Sequence, residues 1–417
     1  MPKQPFIQSV EAARGLAAIE VLAYHVVEIF KLHDFVHLKY LLYPFSFGHE
    51  AVILFFVLSG FSIHYNYAVK NLAHSATIKT YYFSRWLRLY PLLICALLLT
   101  AALVLIGDWS STPAYSGLWN RDFAQSILAS SMFAVDLRAH SGYWIATPRT
   151  NPPIWSLSYE ALYYVVYPLL WWASNRFNLI AVMLAAALVS LIAILSNSYL
   201  GANHIANVFS YYLIWVLGAL LAHIRLNTIR VNNYPFTLIG IALSLLILKM
   251  VLRDYSTILG DYLLASSVVI IAFTVYSQPN SRKATASSLL LFATIFTFLA
   301  LLISRFSEFV YQGSTQLLLV KIGIIGCIGF LLLKRSYFNQ LIRFTTKRFL
   351  ITGSVSYGIY IFHYPILVAS HAYLSPLVGS VLSITIGISV VAGVAYLMER
   401  VAYPLLKRRL TSASISH

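Results

Sequence analysis

The first long apolar segment of the chain holds two residues able to do chemistry, Arg14 and His25. A helix turns about 100° per residue, so their spacing closes about three turns and places both side chains on one stripe, about 16 Å apart. Ionisable groups are costly inside a membrane and indicate a functional site by default. Imidazole can take a proton from a hydroxyl near neutral pH, and guanidinium binds phosphate bidentately. The alternative is structural: Arg14 reaches back to the membrane surface, and His25 is a packing residue.

A second basic pair, Arg85 and Arg88, stands at the mouth of the third apolar segment. The two residues are three positions apart and share a helix face, so together they predict an anion site. Ordinary anchoring by cationic residues at the membrane surface is the competing interpretation.

A carboxylate ends the stretch NPPIWSLSYE at residues 151–160. The two prolines stop any helix before Ile154, and a new helix is predicted to begin between Trp155 and Ser158. Glu160 would then lie near the outer end of a span, either as a charge favoured by the helix dipole or as a polar site group.

Two further stretches place polar residues in apolar spans. FFVLSGF carries Ser59, a small residue that permits close helix packing. SYGIYIFHYP carries Tyr357 and Tyr360 on one helix face, with His363 about 60° further round. An aromatic stripe usually packs, but a second intramembrane histidine favours a site.

Helices that cross a membrane must position these residues. The chain has 417 residues, of which 59% are hydrophobic and 10% charged, whereas an ordinary soluble domain is about 25% charged. We predict an all-α fold, a polytopic transmembrane helical bundle of about 10–12 spans, forming a single integral-membrane domain over residues 1–417. The predicted spans lie near residues 11–30, 50–65, 88–106, 157–173, 179–196, 208–225, 236–252, 262–277, 288–304, 316–333, 353–371 and 377–398.

The distribution of charge predicts the orientation. If the N-terminus is cytoplasmic, roughly two thirds of the 29 lysine and arginine residues face the cytoplasm, as the positive-inside rule requires. Both termini are then cytoplasmic, Arg14 lies near the cytoplasmic face, and His25 lies in the outer half. The net charge of +16 reflects these basic loops, and we expect no nucleic-acid partner. The two cysteines lie in apolar spans, so neither a disulfide nor a metal site is expected.

Five stretches, in this order, resemble the membrane-bound acyltransferase 3 family, whose members acylate surface polysaccharides, glycolipids and some small natural products. They are the Arg-x10-His spacing of Arg14 and His25, FFVLSG, the Arg-x-x-Arg pair, WSLSYE and SYGIYIFHYP. The resemblance runs from residue 11 to residue 365. One departure is Glu11-Ala12, where the family often has Asp-Gly, and this departure keeps the carboxylate.

The resemblance implies an O-acyltransferase of the bacterial inner (plasma) membrane, which moves an acyl group, by default acetyl, from cytoplasmic acyl-CoA. Arg14, Arg85 and Arg88 would bind the CoA phosphates. His25 would be the general base on a hydroxyl of a carbohydrate or glycolipid that approaches from outside. Glu160 would orient His25 or hold a sugar hydroxyl. Acyl-CoA is a substrate here, and no bound cofactor is expected.

Ser59, Tyr357, Tyr360 and His363 would line the same site, with Ser59 either an oxyanion donor or a packing residue. We expect His25 to matter more than His363. A covalent acyl-histidine or acyl-serine route stays open beside direct transfer, and the sequence assigns no role to Glu20.

Two other functions fit the same layout. Twelve spans with both termini inside is a common arrangement in secondary transporters. A non-catalytic component of a membrane assembly would tolerate replacement of Arg14 and His25. Transfer of label from acetyl-CoA to an acceptor separates the enzyme from both.

Overall fold

The computed structural model describes residues 5–34, 45–72, 77–136, 145–201, 203–226, 257–276 and 335–413, together with positions 42, 242, 245 and 246. Within these ranges the regular secondary structure is helical, joined by turns and irregular segments, with one isolated bridge between Asp136 and Ala146. The all-α prediction is therefore confirmed. The helices are α1 (Pro5–Ile29), α2 (Gly48–Leu72), α3 (Ile78–Trp109), α4 (Arg121–Ser131), α5 (Trp155–Arg176), α6 (Leu179–Tyr199), α7 (His204–Ser210), α8 (Tyr212–Leu226), α9 (Thr257–Tyr276), α10 (Arg335–Ser354), α11 (Ser356–Ala369), α12 (Ser380–Tyr396) and α13 (Tyr403–Ala413).

Among the described residues, five helical stretches are long and apolar enough to cross a membrane. They are Gly48–Val69, Ile78–Trp109, Ile180–Tyr199, His204–Ile224 and Ser380–Leu410. Helix α1 is long enough to span but is less apolar, because its sequence includes several charged residues. The spans predicted near 236–252, 288–304 and 316–333 lie outside the described ranges.

The chain divides into two compact units. The first comprises Met1–Val10, Ile53–Asn66 and Ile214–Arg348, and the second comprises Glu11–Val52, Tyr67–Leu213 and Phe349–His417.

In the first unit, the middle of α2 packs backbone to backbone on α8. A Cβ atom on Gly60 would collide with the carbonyl of Trp215, and one on Gly218 would collide with the carbonyl of Val57. Ser59 accepts a hydrogen bond from the indole of Trp215 at 3.3 Å. The close helix approach predicted from FFVLSGF is therefore present.

In the second unit, α1 runs beside the last residues of α10, from Phe349 onward, and beside α11, in the same direction. The contact begins where the backbones of Gly15 and Gly353 meet, since a Cβ on Gly15 would lie 2.5 Å from the nitrogen of Gly353. It ends where Val26 and Phe30 pack on Leu367 in a buried apolar cluster. These two contacts fix the position of α1 along α11.

Helix α5 begins deep in the second unit rather than at its outer edge. The Tyr81 hydroxyl, near the start of α3, donates to the Tyr164 carbonyl on α5 at 3.0 Å. Further along α3, the Thr100 hydroxyl accepts a hydrogen bond at 3.4 Å from the Asn151 side-chain amide, which precedes α5. Trp155 lies nine residues before Tyr164 on α5, which at about 1.5 Å per residue is roughly 14 Å. Because Tyr164 is level with Tyr81, the first residue of α5 is less than halfway along α3. The segment before α5 enters the bundle, and a 3₁₀ turn at Pro152–Ile154 leads into the helix.

A buried carboxylate holds this entering segment in place. Asp136 accepts hydrogen bonds from Tyr159 at 2.8 Å, from Asn207 at 2.9 Å and from His204 at 3.3 Å. Burial on its own raises the pKa of Asp136, but these hydrogen bonds outweigh it and hold the pKa below its ordinary value. The ionised Asp136 thus ties the segment before α5 to α5 and α7.

Candidate functional site

The two intramembrane histidines meet. His25 Nδ1 on α1 lies 3.0 Å from His363 Nε2 on α11, and the two ring centroids are 4.9 Å apart. His363 is fully buried, whereas His25 is partly exposed. The aromatic rings of Tyr24 and Tyr364 stand edge-on to His25 at 5.0 and 5.1 Å. The sequence placed both histidines in spans but did not predict this contact.

Backbone carbonyls hold both imidazoles. His25 Nδ1 lies 2.9 Å from the carbonyl oxygen of Val21. His363 Nδ1 lies 2.7 Å from the carbonyl oxygen of Tyr360 and 3.1 Å from that of Ile359. Each ring is thus fixed by its own helix and by the other ring.

Two tyrosines that precede His363 on α11 join this helix to its neighbours. The Tyr360 hydroxyl donates to the Pro153 carbonyl at 2.7 Å and lies 2.7 Å from Ser156 Oγ. The Tyr357 hydroxyl donates to the Leu89 carbonyl on α3 at 2.9 Å. Both tyrosines are buried and donate to backbone oxygens of neighbouring segments, so they connect α11 to those segments; that they line the site stays a prediction.

Glu160 lies at a different level from His25. Its carboxylate accepts a hydrogen bond from Tyr164 at 2.5 Å and interacts electrostatically with Tyr357 and Tyr360. The hydrogen bonds of His25 go to Val21 and His363 instead. Glu160 is the sixth residue of α5, and α5 begins less than halfway along α3; that Glu160 lies near the outer end of its span stays a prediction.

Arg14 and Arg85 converge on Tyr164. The Arg85 guanidinium lies 5.8 Å from the centre of the Tyr164 ring and 6.0 Å from that of Tyr81, and the charge of Arg14 also acts on Tyr164. Both arginines are partly exposed. Within the part of the chain that the structure describes, neither guanidinium is paired with a carboxylate. The Glu160 carboxylate bonds the same tyrosine, so two cations and one carboxylate act on Tyr164, and the remaining positive charge suits an anionic ligand.

Arg88 has an internal partner. Its Nη1 lies 2.5 Å from Glu399 Oε2, whose side chain is only 2% exposed. The other oxygen, Oε1, accepts the backbone N–H of Gly358 in the first turn of α11 at 2.9 Å. Glu399 itself lies in a π-helical turn at Leu397–Ala402. The two arginines of the Arg-x-x-Arg pair therefore differ: Arg88 is paired with a carboxylate, whereas Arg85 forms no ion pair among the described residues.

Two residues fall outside this arrangement. Ser59 belongs to the first unit, where it contacts Trp215, and its role as an oxyanion donor stays a prediction. Glu20, which had no assignment, accepts the backbone N–H of Phe47 at 3.0 Å, just before α2 begins at Gly48. The Glu20 side chain thus satisfies the backbone N–H of the residue before α2, which is a structural contact.

Sequence reasoning missed Tyr164 and Glu399. Tyr164 carries a detectable signal, since it lies one helical turn after Glu160 in WSLSYEALYY. The signal for Glu399 is weaker: it is a charged residue at the end of the last apolar run, where ionisable residues are common.

Comparison with known proteins identifies a family that this chain matches. A family model described as "Acyltransferase domain" matches residues 7–400. An uncharacterized protein of Haemophilus influenzae is 27% identical over 213 residues, which cover 46% of this chain and 83% of that protein. Acyltransferase MdmB of Streptomyces mycarofaciens is 25% identical over 189 residues, 42% of this chain and 44% of that protein. No solved structure matches.

Proposed function

Because the chain belongs to the acyltransferase 3 family, we propose that this integral-membrane acyltransferase moves an acyl group from acyl-CoA to a hydroxyl of a carbohydrate or glycolipid. The observation that carries the proposal is the alignment of two features along one stripe of α1. One is the guanidinium of Arg14, whose charge acts on Tyr164 as that of Arg85 does. The other is the histidine pair, about 16 Å further along the helix.

The basic end of the stripe suits the donor. CoA carries several phosphates, which guanidinium groups bind bidentately. Arg14 and Arg85 form no ion pair among the described residues. The Glu160 carboxylate that shares Tyr164 with them is hydrogen-bonded to the Tyr164 hydroxyl, so a phosphate can bind the two guanidinium groups without breaking a salt bridge. We keep Arg88 as a third predicted contact, although its pairing with Glu399 limits it to a phosphate that approaches from its exposed side.

The histidine end suits the chemistry. As the acceptor oxygen attacks the thioester carbon, His25 Nε2 takes the hydroxyl proton and a new C–O bond forms. The C–S bond of the tetrahedral intermediate then breaks, and the leaving CoA thiolate receives the proton back from His25. The products are the acyl ester and free CoA, and His25 returns to its starting form. Glu160, hydrogen-bonded to Tyr164 at 2.5 Å, stays a proposed site residue on the donor side of this reaction.

Orientation enters the proposal as well. The excess of basic residues on one side supports cytoplasmic termini, in an inner (plasma) membrane if the source is bacterial. Donor then reaches Arg14 and Arg85 from the cytoplasm, and the acceptor reaches His25 from outside. Acetyl is the expected acyl group. Membership of an acyltransferase family favours this function over the transporter layout that the span count also allows.

The test uses membranes from cells that express the protein. Acetyl-CoA labelled in the acetyl group is added on the cytoplasmic side, and label is counted in the extracted glycan and glycolipid fractions. We expect label in one of these fractions and an equal release of free CoA. Uptake of label with no covalent product would favour a transporter. Neither uptake nor product, with the protein present at normal amounts, would favour a non-catalytic role.

A further inference from the structure

The hydrogen bonds of the two histidines determine where their protons lie. A carbonyl oxygen only accepts, so His363 Nδ1, 2.7 Å from the Tyr360 carbonyl, must carry a hydrogen. In neutral His363 the other nitrogen, Nε2, is therefore an acceptor. His25 Nδ1 faces this acceptor at 3.0 Å and the Val21 carbonyl at 2.9 Å, so it must also carry a hydrogen. His25 Nε2 is then left with its lone pair.

We propose that His363 is a positioning residue that acts through His25: its Nε2 accepts the Nδ1–H of His25 and so keeps His25 Nε2 available as the base. This inference rests on the proposed function and extends it. A histidine base in other enzymes is held by a third group that fixes its tautomer and stabilises the imidazolium, most often a carboxylate. Here a neutral imidazole occupies that place.

His363 becomes most important when His25 is charged. Once His25 Nε2 takes the acceptor proton, its Nδ1–H becomes a charged donor, and hydrogen bonds to charged groups are stronger than neutral ones. The lone pair of His363 Nε2 is a second acceptor beside the Val21 carbonyl, in a region where His363 is fully buried. His363 gains no proton overall and contacts neither substrate, so its replacement is expected to lower kcat and leave the KM for acyl-CoA unchanged.

The helix contacts support this alignment. Gly15 on α1 meets Gly353 at the end of α10, ten positions before His25 and His363 respectively. The helix is interrupted at Val355, so the level of the imidazoles follows from their own 3.0 Å contact, and the glycine contact holds α1 close to the start of α11. The carbonyls that hold His363 belong to its own helix, so replacing His363 leaves no new unpaired carbonyl.

The test compares His363→Gln, His363→Leu and the neighbouring control Tyr364→Phe in the full chain, purified into lipid nanodiscs. Leu removes the acceptor, and we expect kcat for label transfer from acetyl-CoA to fall about 10- to 100-fold, as for loss of a hydrogen bond to a charged group. Gln offers an amide oxygen near the position of Nε2, and we expect it to restore at least about a third of native kcat. Tyr364→Phe keeps both imidazoles and the ring beside His25, so it should retain the hydrogen bond between His25 and His363 that His363→Leu lacks. Native kcat in His363→Leu would overturn the inference.

A second measurement needs neither acceptor nor turnover. In protein labelled with ¹⁵N-histidine, with signals assigned through His25→Gln, we expect the proton of His25 on Nδ1 and a ¹⁵N–¹⁵N coupling to His363 Nε2 across the hydrogen bond. His363→Leu should abolish this coupling. A His25 proton found on Nε2 would refute the inference even if no variant were active. If the native protein shows the coupling but His25→Gln is fully active, the proposed role of His25 as the base would be refuted instead.

Discussion

Replacing Arg88 should damage the protein in a way that replacing Arg85 does not. The two residues lie one helical turn apart on α3, but only Arg88 is paired with a carboxylate, Glu399. Removing one partner of a buried ion pair leaves the other charge uncompensated, which costs about 3–5 kcal/mol. Arg88 keeps a quarter of its side chain exposed, so we take the low end, about 3 kcal/mol.

This energy converts into a modest shift of the unfolding temperature. Unfolding entropy of about 2.1 cal/mol/K per residue gives about 0.9 kcal/mol/K for 417 residues. Arg88→Ala should therefore lower Tm by about 3 °C, and Glu399→Gln by a similar amount. Arg85→Ala loses only ring contacts with Tyr81 and Tyr164, which contribute about 0.5–1 kcal/mol. Its Tm should stay within about 1 °C of native.

The assay is thermal unfolding of the purified variants in detergent, followed by their kinetics. Arg85→Ala should raise the KM for acyl-CoA more than the KM for the acceptor, and Lys at this position should rescue only in part because it lacks the guanidinium fork. The double variant Arg88→Met with Glu399→Leu should recover much of the lost Tm, since it leaves no unpaired charge. Equal Tm losses in Arg85→Ala and Arg88→Ala would refute the division of roles. A raised acceptor KM with an unchanged donor KM in Arg85→Ala would reverse the assignment of sides.

Three further predictions rest on individual contacts, and a fourth rests on the distribution of charge. Gly353→Ala places a Cβ against the Glu11 carbonyl; we expect a cost of about 1–3 kcal/mol in thermal unfolding and lower transfer activity, and native behaviour in both would contradict the alignment of α1 with α11. Glu20→Ala removes the acceptor for the Phe47 N–H and should cost about 1 kcal/mol with kinetics unchanged, whereas a large loss of kcat would make Glu20 functional. Because the pKa of Asp136 is lowered, its contribution to stability is complete above the ordinary carboxyl range and is lost as pH falls through the lowered pKa. The Tm of the native protein should therefore drop more steeply below about pH 4 than the Tm of Asp136→Asn. Parallel curves would contradict this. With both native cysteines replaced, a membrane-impermeant thiol reagent on intact cells (or on spheroplasts, if an outer envelope blocks access) should label Ser131→Cys and not Ser412→Cys, and the reverse pattern would invert the orientation.

Much of the architecture could be predicted because it depends on local signals. Apolar runs of span length predicted helices at the positions of α3, α5 and α6, and the prolines before Trp155 marked the start of α5 correctly. Helical periodicity placed Arg14 and His25 on one stripe, and α1 is helical through both. Each of these features depends on residues close in sequence, so spacing alone suffices.

Contacts between distant segments could not be predicted in this way. The pairing of His25 with His363 joins residues far apart in sequence, and so does the ion pair of Arg88 with Glu399. The level at which α5 begins beside α3 was not predicted, because hydropathy shows where a helix starts along the chain but not where its first residue lies among the other helices. That level is set by the hydrogen bonds of Tyr81 and Asn151, which depend on how α3 and α5 pack.

The most direct test of the account is the initial rate of acetyl transfer by His25→Ala. The rate is measured with labelled acetyl-CoA at equal amounts of membrane-inserted protein. The matched control is His33→Ala, which removes an exposed histidine that lies beyond the end of α1 and pairs with Asp34. Loss of a general base predicts a rate at least about 10²-fold below native for His25→Ala, with His33→Ala close to native. A native rate for His25→Ala would contradict the account, because the only base it assigns to the acceptor hydroxyl would then be dispensable.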